Sequence, residues 1–509
     1  MSRSAASPFP AWLLVVTLAV GALAATAEPS GKNPKNAAGR PAAAAKAPVS
    51  LDAALAAALK TAQGSSASVA VAIVDVETRK PIFRFRDDAQ MVIASNNKLI
   101  TSATALDRLG PDFQYETPFY LRGEVAAGVL EGDLAVVGAG DPNISGRFYD
   151  GDSFAVFKTW AAAAKARGIT KVSGGLVLVT GLIDDVLIHP DWPRGQLDRW
   201  YQAPVAALSF NDNCVLVKVF PSQGASAAVR FEPPLSIFQL SGRVGMTANA
   251  RAQNVMIGRR LDGDAESLRT YLVGGQIYRQ AGKVDEWITV ADPVSYFGAG
   301  LRQAFAEAGI TIAGPTSKMT ALPSGGGWEK VAAHHSDLQR TLEVLNKRSQ
   351  NFYAESLLKL LGARFGGAGS WPAGVSVAKE FLSRVGIADG TYTMVDGSGL
   401  SRGDRFTAAQ LTQLLCHMFR HSASSLFTRS LPYSGEEDLR WERRLAQPPY
   451  RGNVLAKTGT LSDVSTLSGY AKAKSGKVYA FSILCNGTRS NARAMSAQDG
   501  IVRALIDRG

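Results

Sequence analysis

Cysteine is nearly absent from this chain of 509 residues, and its three copies, Cys214, Cys416 and Cys485, lie too far apart for a disulfide framework or a zinc site. At most one bridge can form. Cys485, inside the apolar run Tyr479-Ala480-Phe481-Ser482-Ile483-Leu484, reads as a buried core thiol. Histidine is almost as scarce: His189, His334, His335, His417 and His421 stand beside no catalytic motif, which disfavours a Ser-His-Asp triad. His334 and His335 read as surface residues of a polar loop. Basic runs interleaved with aromatics are missing, so nucleic acid is not the expected partner although the formal charge is +12. That charge suits an anionic polymer or surface, or simply a solvated face. No internal repeat is visible, and only the N-terminus carries an apolar run approaching membrane-span length.

That run, Ala11 to Val20, follows Arg3 and precedes Ala25-Thr26-Ala27, small residues of the kind a signal peptidase reads. Residues 1–27 are expected to be a secretory signal cut after Ala27, with an uncleaved anchor as the alternative. Residues 28–49, rich in Ala, Pro, Gly, Lys and Asn without periodicity, read as a disordered linker. The roughly 460 residues that remain exceed what one core serves, so two or three domains are expected.

Ser50 as N-cap predicts a helix through Lys60, followed by a hairpin of Ser68 to Val76 and Pro81 to Phe85. Far downstream, Asn453 to Gly459, Thr466 to Lys472 and Lys477 to Cys485 are three more strands, and a last helix runs from about Ala492 to Asp507. These five strands in two distant groups predict one antiparallel sheet flanked by helices, an α/β-layer core split by an insertion. The insertion reads as one or two mostly β domains, interrupted by a helix from Ser153 to Arg167. We expect residues 50–115 and 331–509 to form the two parts of the core and 116–330 to be inserted.

Chemistry concentrates at Ser95-Asn96-Asn97-Lys98, where helical spacing continues through Leu106. If Ser95 opens that helix, Lys98 lies one turn on, on the same face. An amine so placed can take the proton of a hydroxyl that is otherwise a weak nucleophile. Ser356-Leu357-Leu358-Lys359 has the same spacing and reads as ordinary helix. What separates the first copy is its company: Ser349-Gln350-Asn351 and Lys457-Thr458-Gly459-Thr460 complete the ordered set of penicillin-recognising serine enzymes. A rival nucleophile, Gly399-Leu400-Ser401-Arg402-Gly403, fits the hydrolase elbow pattern, but Thr407 and Gln410 look like the capping box of a helix that begins too late.

With these motifs, and with Gly140-Asp141-Pro142, Ala203 to Ser209, Asn346-Lys347-Arg348, Ala354 to Leu358, Asp396 to Arg402 and Leu467 to Tyr470, the chain resembles the D-alanyl-D-alanine carboxypeptidase/endopeptidase family, the class C low-molecular-mass penicillin-binding proteins. Ile93, where that family usually has proline, and Gln350, where it usually has aspartate, are mild departures. The resemblance implies a penicillin-binding/β-lactamase-like transpeptidase core, with Ser95 as acyl-ester nucleophile, Lys98 as its general base and Ser349 as proton relay. It also implies that Asn351 holds Lys98 and a substrate amide, and that Lys457 and Thr458 receive the terminal carboxylate. The backbones of Ser95 and Thr460, with Gly459 between Thr458 and Thr460, would form the oxyanion site. No metal or cofactor is implied. The partners would be peptidoglycan peptides, and β-lactams as inhibitors, in the periplasm. Peripheral membrane association and oligomeric state stay open. A β-lactamase or esterase on the same core, or a non-enzymatic cell-wall binding protein, is the alternative. Asp141 is either a turn residue before Pro142 or a partner for a substrate amino group, and Arg402 stands likewise.

Overall fold

The computed structural model describes residues 50–509. The expected signal and linker lie outside the described residues. Ser50 accepts from the Ala53 N–H and caps a helix, Leu51–Ser65, one turn longer than its periodicity predicted. The antiparallel sheet runs in the order Pro81–Phe85, Ser66–Asp75, Val478–Thr488, Val464–Lys472, Val454–Leu461, so the hairpin and the C-terminal strands join through Ser66–Asp75 and Val478–Thr488. Leu51–Ser65 and Asn491–Arg508 cover one face, closing a core of Leu55, Ile73, Phe481, Ile483, Ile501 and Leu505. The other face packs on a helical layer that includes Asn97–Leu109, Asn351–Phe365 and Ala408–Arg420.

The five strands and their order make the expected α/β core. All three cysteines are free and buried. The capping box at Thr407 and Gln410 forms and begins its helix at Ala408, so no helix follows Ser401 directly.

Two long paired strands, Gln114–Ala126 and Trp328–Asp337, lead into and out of the inserted region. They belong to a seven-stranded mixed sheet packed on two helices, Ala155–Ala166 and Pro293–Glu307, around Phe119, Phe157, Trp160, Phe210 and Phe297. Only the first helix was expected. The second is started by the Asp292 side chain and Pro293, but its aromatic and glycine content, Tyr296-Phe297-Gly298-Ala299-Gly300, obscures the 3.6-residue period. Further on, Cys214–Phe220, Ala228–Glu232 and Val284–Thr289 build a smaller β lobe around Val215, Val217, Tyr271 and Ile277.

His334 corrects the sequence expectation. It lies in the strand Trp328–Asp337, where alternation turns it inward against Asp141 and Tyr149 while His335 faces out. Burial pushes the His334 imidazole down to about 4, so it is neutral near pH 7.

The insertion is tied to the core by a polar joint: Asp212 pairs with Arg147 and accepts from the Tyr353 hydroxyl at 3.0 Å. Asp212→Ala leaves both partners without their acceptor, so we expect a loss of about 2 kcal/mol, discounted because Arg147 is one-third exposed. Denaturant unfolding measures it; a loss below about 0.5 kcal/mol would show that packing alone carries the joint.

Candidate active site

Ser95 does not open the α-helix. It sits in a single 3-10 turn, Ala94–Asn96, ahead of Asn97–Leu109, because Ala94 takes a positive φ of 47° and bends the chain at the end of the short strand Met91–Val92. The spacing survives the change. Lys98 Nζ lies 3.1 Å from Ser95 Oγ.

Lys98 is fully buried, and its amine has two further acceptors, Asn351 Oδ1 at 2.6 Å and the Ser398 carbonyl at 2.8 Å. Burial pushes its pKa from 10.5 down to about 7, against the pull of the nearby carboxylates Glu355, Asp396 and Asp404. At neutral pH a large share of the amine is therefore unprotonated. Its lone pair can face Ser95 while its two protons stay on Asn351 and Ser398.

The segment from Asp396 to Ser401 is pinned along its whole length. Its carbonyls at 396, 397 and 398 accept in turn from Asn97, Thr101 and Lys98. Glu355 accepts the N–H groups of Gly397 and Ser398, and Asp396 those of Ser398, Gly399 and Ser401. Gly399 is required: φ is +77°, and a Cβ there would stand 1.8 Å from the Ala94 carbonyl oxygen.

Across the cleft, Lys457 Nζ donates to Ser349 Oγ at 2.8 Å and to the Thr458 carbonyl at 2.9 Å. Ser349 holds a positive φ of 57°, a costly conformation for serine that places its hydroxyl on Lys457. Lys457 lies on Val454–Leu461, an edge strand of the sheet. The Ala456 N–H donates away from its sheet neighbour, to the Pro432 carbonyl, so by alternation the N–H groups of Thr458 and Thr460 also point off the open edge. Gly459 lets this edge approach Ser95, since a Cβ there would meet Thr466 Oγ1 at 2.2 Å, the Ile93 carbonyl at 2.8 Å and the Ser95 nitrogen at 3.0 Å. An extended peptide can add to such an edge by main-chain hydrogen bonds, with its carbonyl between the Ser95 and Thr460 N–H groups.

Residues 51–507 match the D-Ala-D-Ala carboxypeptidase 3 (S13) family. The chain belongs to that family. Membership makes it a serine-type D-Ala-D-Ala carboxypeptidase. It is 31% identical to the D-alanyl-D-alanine carboxypeptidase of Actinomadura sp. strain R39 over 86% of this chain and 81% of that one. To the D-alanyl-D-alanine carboxypeptidase DacB of Haemophilus influenzae it is 26% identical over 78% and 81%. The crystal structure of penicillin-binding protein 4 from the same organism superposes with a TM-score of 0.75 at 23% identity, covering 88% of this chain and 99% of that one, and shows the same fold. The same protein complexed with a β-lactam gives a TM-score of 0.70 with the same coverage.

In this carboxypeptidase the three motifs converge on one cleft, with Ser95, Lys98, Ser349, Asn351 and Lys457 linked by direct hydrogen bonds in two groups. The second Ser-x-x-Lys stays apart: Lys359 pairs with Asp184 and lies over the Trp371 ring. Asp141 is buried and caps its own turn at Asn143, also accepting from Ser336. Arg402 is exposed and paired with Asp463 and Ser462.

Sequence reasoning assigned no role to Glu355, Asp396, Ser398 and Asp404. Glu355 and the Asp396 to Arg402 stretch carried part of the family resemblance, and nothing local marks a turn wrapped on a buried carboxylate. Asn351 Nδ2 donates to the Tyr201 carbonyl at 2.9 Å, so that half of its amide faces the insertion.

Gly459→Ala keeps every reacting group yet forces the edge strand off Ser95. We expect penicillin labelling of the folded protein to fall by about 10²-fold or more, together with a lowered melting midpoint, because the Thr466 hydroxyl bond to the Ile93 carbonyl is displaced as well. Labelling at the parent rate would show that the close approach is not needed.

Proposed function

We propose that the chain is a secreted D-Ala-D-Ala carboxypeptidase that acts on peptidoglycan stem peptides through an acyl-enzyme on Ser95 and is acylated there by β-lactams. The observation that carries this is the Ser95 hydroxyl 3.1 Å from a buried Lys98 amine whose pKa is lowered to about 7. A general base poised near the working pH is what a serine nucleophile needs.

In the proposed cycle the Ser95 proton moves to the Lys98 lone pair as Oγ attacks the carbonyl carbon of the penultimate D-alanine. The displaced electron pair rests on the carbonyl oxygen, between the N–H groups of Ser95 and Thr460. Collapse breaks the C–N bond, and Ser349 relays a proton to the leaving nitrogen, so the amine departs neutral and Lys98 is again free. Water then attacks the ester with Lys98 as base, and Ser95 Oγ regains a proton as the acid leaves. Lys457 and Thr458 receive the terminal carboxylate, while Asn351 holds Lys98. When the leaving nitrogen belongs to a neighbouring stem peptide, the same steps cut a cross-link, which is endopeptidase action. The family match and the long insertion support this reading over a β-lactamase, and the intact set of Ser95, Lys98, Ser349 and Lys457 supports it over a non-enzymatic binding protein. The small-residue cleavage pattern after the N-terminal apolar run supports export to the periplasm.

Ser95→Ala is expected to abolish both penicillin labelling and release of D-alanine from purified muropeptides, followed by mass, with the fold intact. Retained hydrolysis would remove Ser95 as nucleophile. The same products separate the two activities, since loss of one alanine and splitting of dimers differ in mass.

The two lysines are expected to respond differently. Because Lys98 must be neutral, acylation should fall as pH drops below about 7. Lys98→Arg, which cannot be deprotonated, should lose about 10²-fold or more, and Lys457→Arg, still a cation for a carboxylate, should lose less. Acylation rates from mild acid to mild alkali check this; the reverse order would exchange the two roles.

A further inference from the structure

The stretch from Asp184 to Gln202 belongs to the inserted region by sequence but to the catalytic half by contact. Trp192 packs in the same core as the Asn97–Leu109 and Asn351–Phe365 helices, with Ile188 and Trp200 against it, and is 2% exposed. Six of the stretch's polar contacts reach the two elements that hold Lys98, beside those it makes within the insertion. Toward the Asn351–Phe365 helix, the Tyr201 carbonyl takes the Asn351 Nδ2 donor at 2.9 Å, while Asp184 and the Val186 carbonyl take Lys359 Nζ at 2.7 and 2.6 Å. Toward the Asp396 to Ser401 turn, Trp192 Nε1 donates to Asp396 Oδ2 at 3.1 Å, His189 Nε2 bonds the Val395 carbonyl at 3.0 Å and Asp191 accepts from the Ser401 hydroxyl at 3.3 Å.

These contacts decide where the Lys98 protons point. An amide has two ends: with Nδ2 committed to Tyr201, Asn351 can present only Oδ1 to Lys98. The Ser398 carbonyl is aimed by the turn wound on the Asp396 carboxylate, which takes the Trp192 indole from the strap and also bonds the Asp404 side chain just beyond the turn. We infer that this strap of the insertion is a working part of the catalytic centre, that it fixes both acceptors which aim the Lys98 lone pair at Ser95, and that Trp192 is its positioning residue for the Ser398 carbonyl. The inference rests on Lys98 being the base.

The groups facing Lys98 set the direction of the test. Glu355 comes from the Asn351–Phe365 helix, Asp396 from the pinned turn, Asp404 from just beyond it, and Lys457 from the edge strand. Removing the indole donor loosens the turn and frees the Ser398 carbonyl to swing away. That withdraws an acceptor from the Lys98 ammonium, so its pKa falls. The acid limb of acylation therefore moves to lower pH, while the maximal rate drops because the lone pair is no longer held toward Ser95.

The experiment uses the full chain with Trp192→Phe, which keeps a ring in the pocket and deletes the donor. Fluorescent-penicillin acylation is measured against pH, alongside Trp160→Phe in the insertion's own core as a purely structural control, and Lys98→Arg. We expect a maximal rate about tenfold lower for Trp192→Phe and an acid limb shifted down, with Trp160→Phe matching the parent in both. A folded Trp192→Phe with the parent's maximal rate and limb overturns the proposal. So does the same displacement in Trp160→Phe, because the effect is then general loosening. Should Trp192→Phe not fold, Asp191→Ala, on an exposed side chain, decides by the same two readouts: a profile identical to the parent's overturns the proposal, and a lowered rate with a down-shifted limb supports it. Full activity in Lys98→Arg refutes the base assignment itself and is separate from failure of the strap alone.

Discussion

A lysine amine with no exposure to water is the constraint on which the rest of the site depends. In water the ammonium of Lys98 would persist to high pH; in this interior it loses its solvation and falls to about 7. Burial alone would carry it further. Glu355, Asp396 and Asp404 pull it back, and burial in turn pushes Glu355 up to about 7 and Asp404 well above the carboxylate range. Protons are thus shared over a small buried cluster, which on the proposed reading is what lets Lys98 accept and return a proton cheaply.

Such a cluster has to be dry, and dry backbone has to be satisfied. The turn from Asp396 to Ser401 answers both needs, since its carbonyls go to the helix behind Ser95 and its N–H groups to the two carboxylates. Its path against Ala94 is open only to glycine at 399. The insertion seals the other side through Trp192 and Tyr201. A region that looks dispensable by its position in the chain therefore shares the interior of the catalytic half.

The core was legible because its signals are local. Ser50 as N-cap, the apolar β-rich runs of the hairpin and the C-terminal strands, and the capping box at Thr407 each act within a few residues, and each appears where expected. The motifs were legible because chemistry fixes residue type: the Ser95, Lys98, Ser349, Asn351 and Lys457 side chains all meet, across separations of up to several hundred positions. What stayed hidden depends on partners far apart in sequence. Nothing near Trp192 announces Asp396, and a glutamate within a leucine-rich helix, as Glu355 is, reads as a solvated face until the turn of Gly397 and Ser398 closes on it. His334 was misplaced for the related reason that its strand is specified by its partner, Gln114–Ala126, and not by its own polar sequence.

Lys457 carries the opposite demand within the same cavity. It is as buried as Lys98, and both burial and the neighbouring Lys98 charge hold its pKa well below the ordinary range, yet a carboxylate is best bound by a cation. The two requirements are reconciled by order of events. Burial and the Lys98 charge hold the Lys457 amine back from protonation, and Ser349 accepts from it at 2.8 Å. On the proposed reading, a carboxylate arriving at Lys457 would stabilise the ammonium there, and its negative charge would offset the repulsion between the two lysines. Binding of the terminal carboxylate is then what allows a buried Lys457 to be charged beside Lys98.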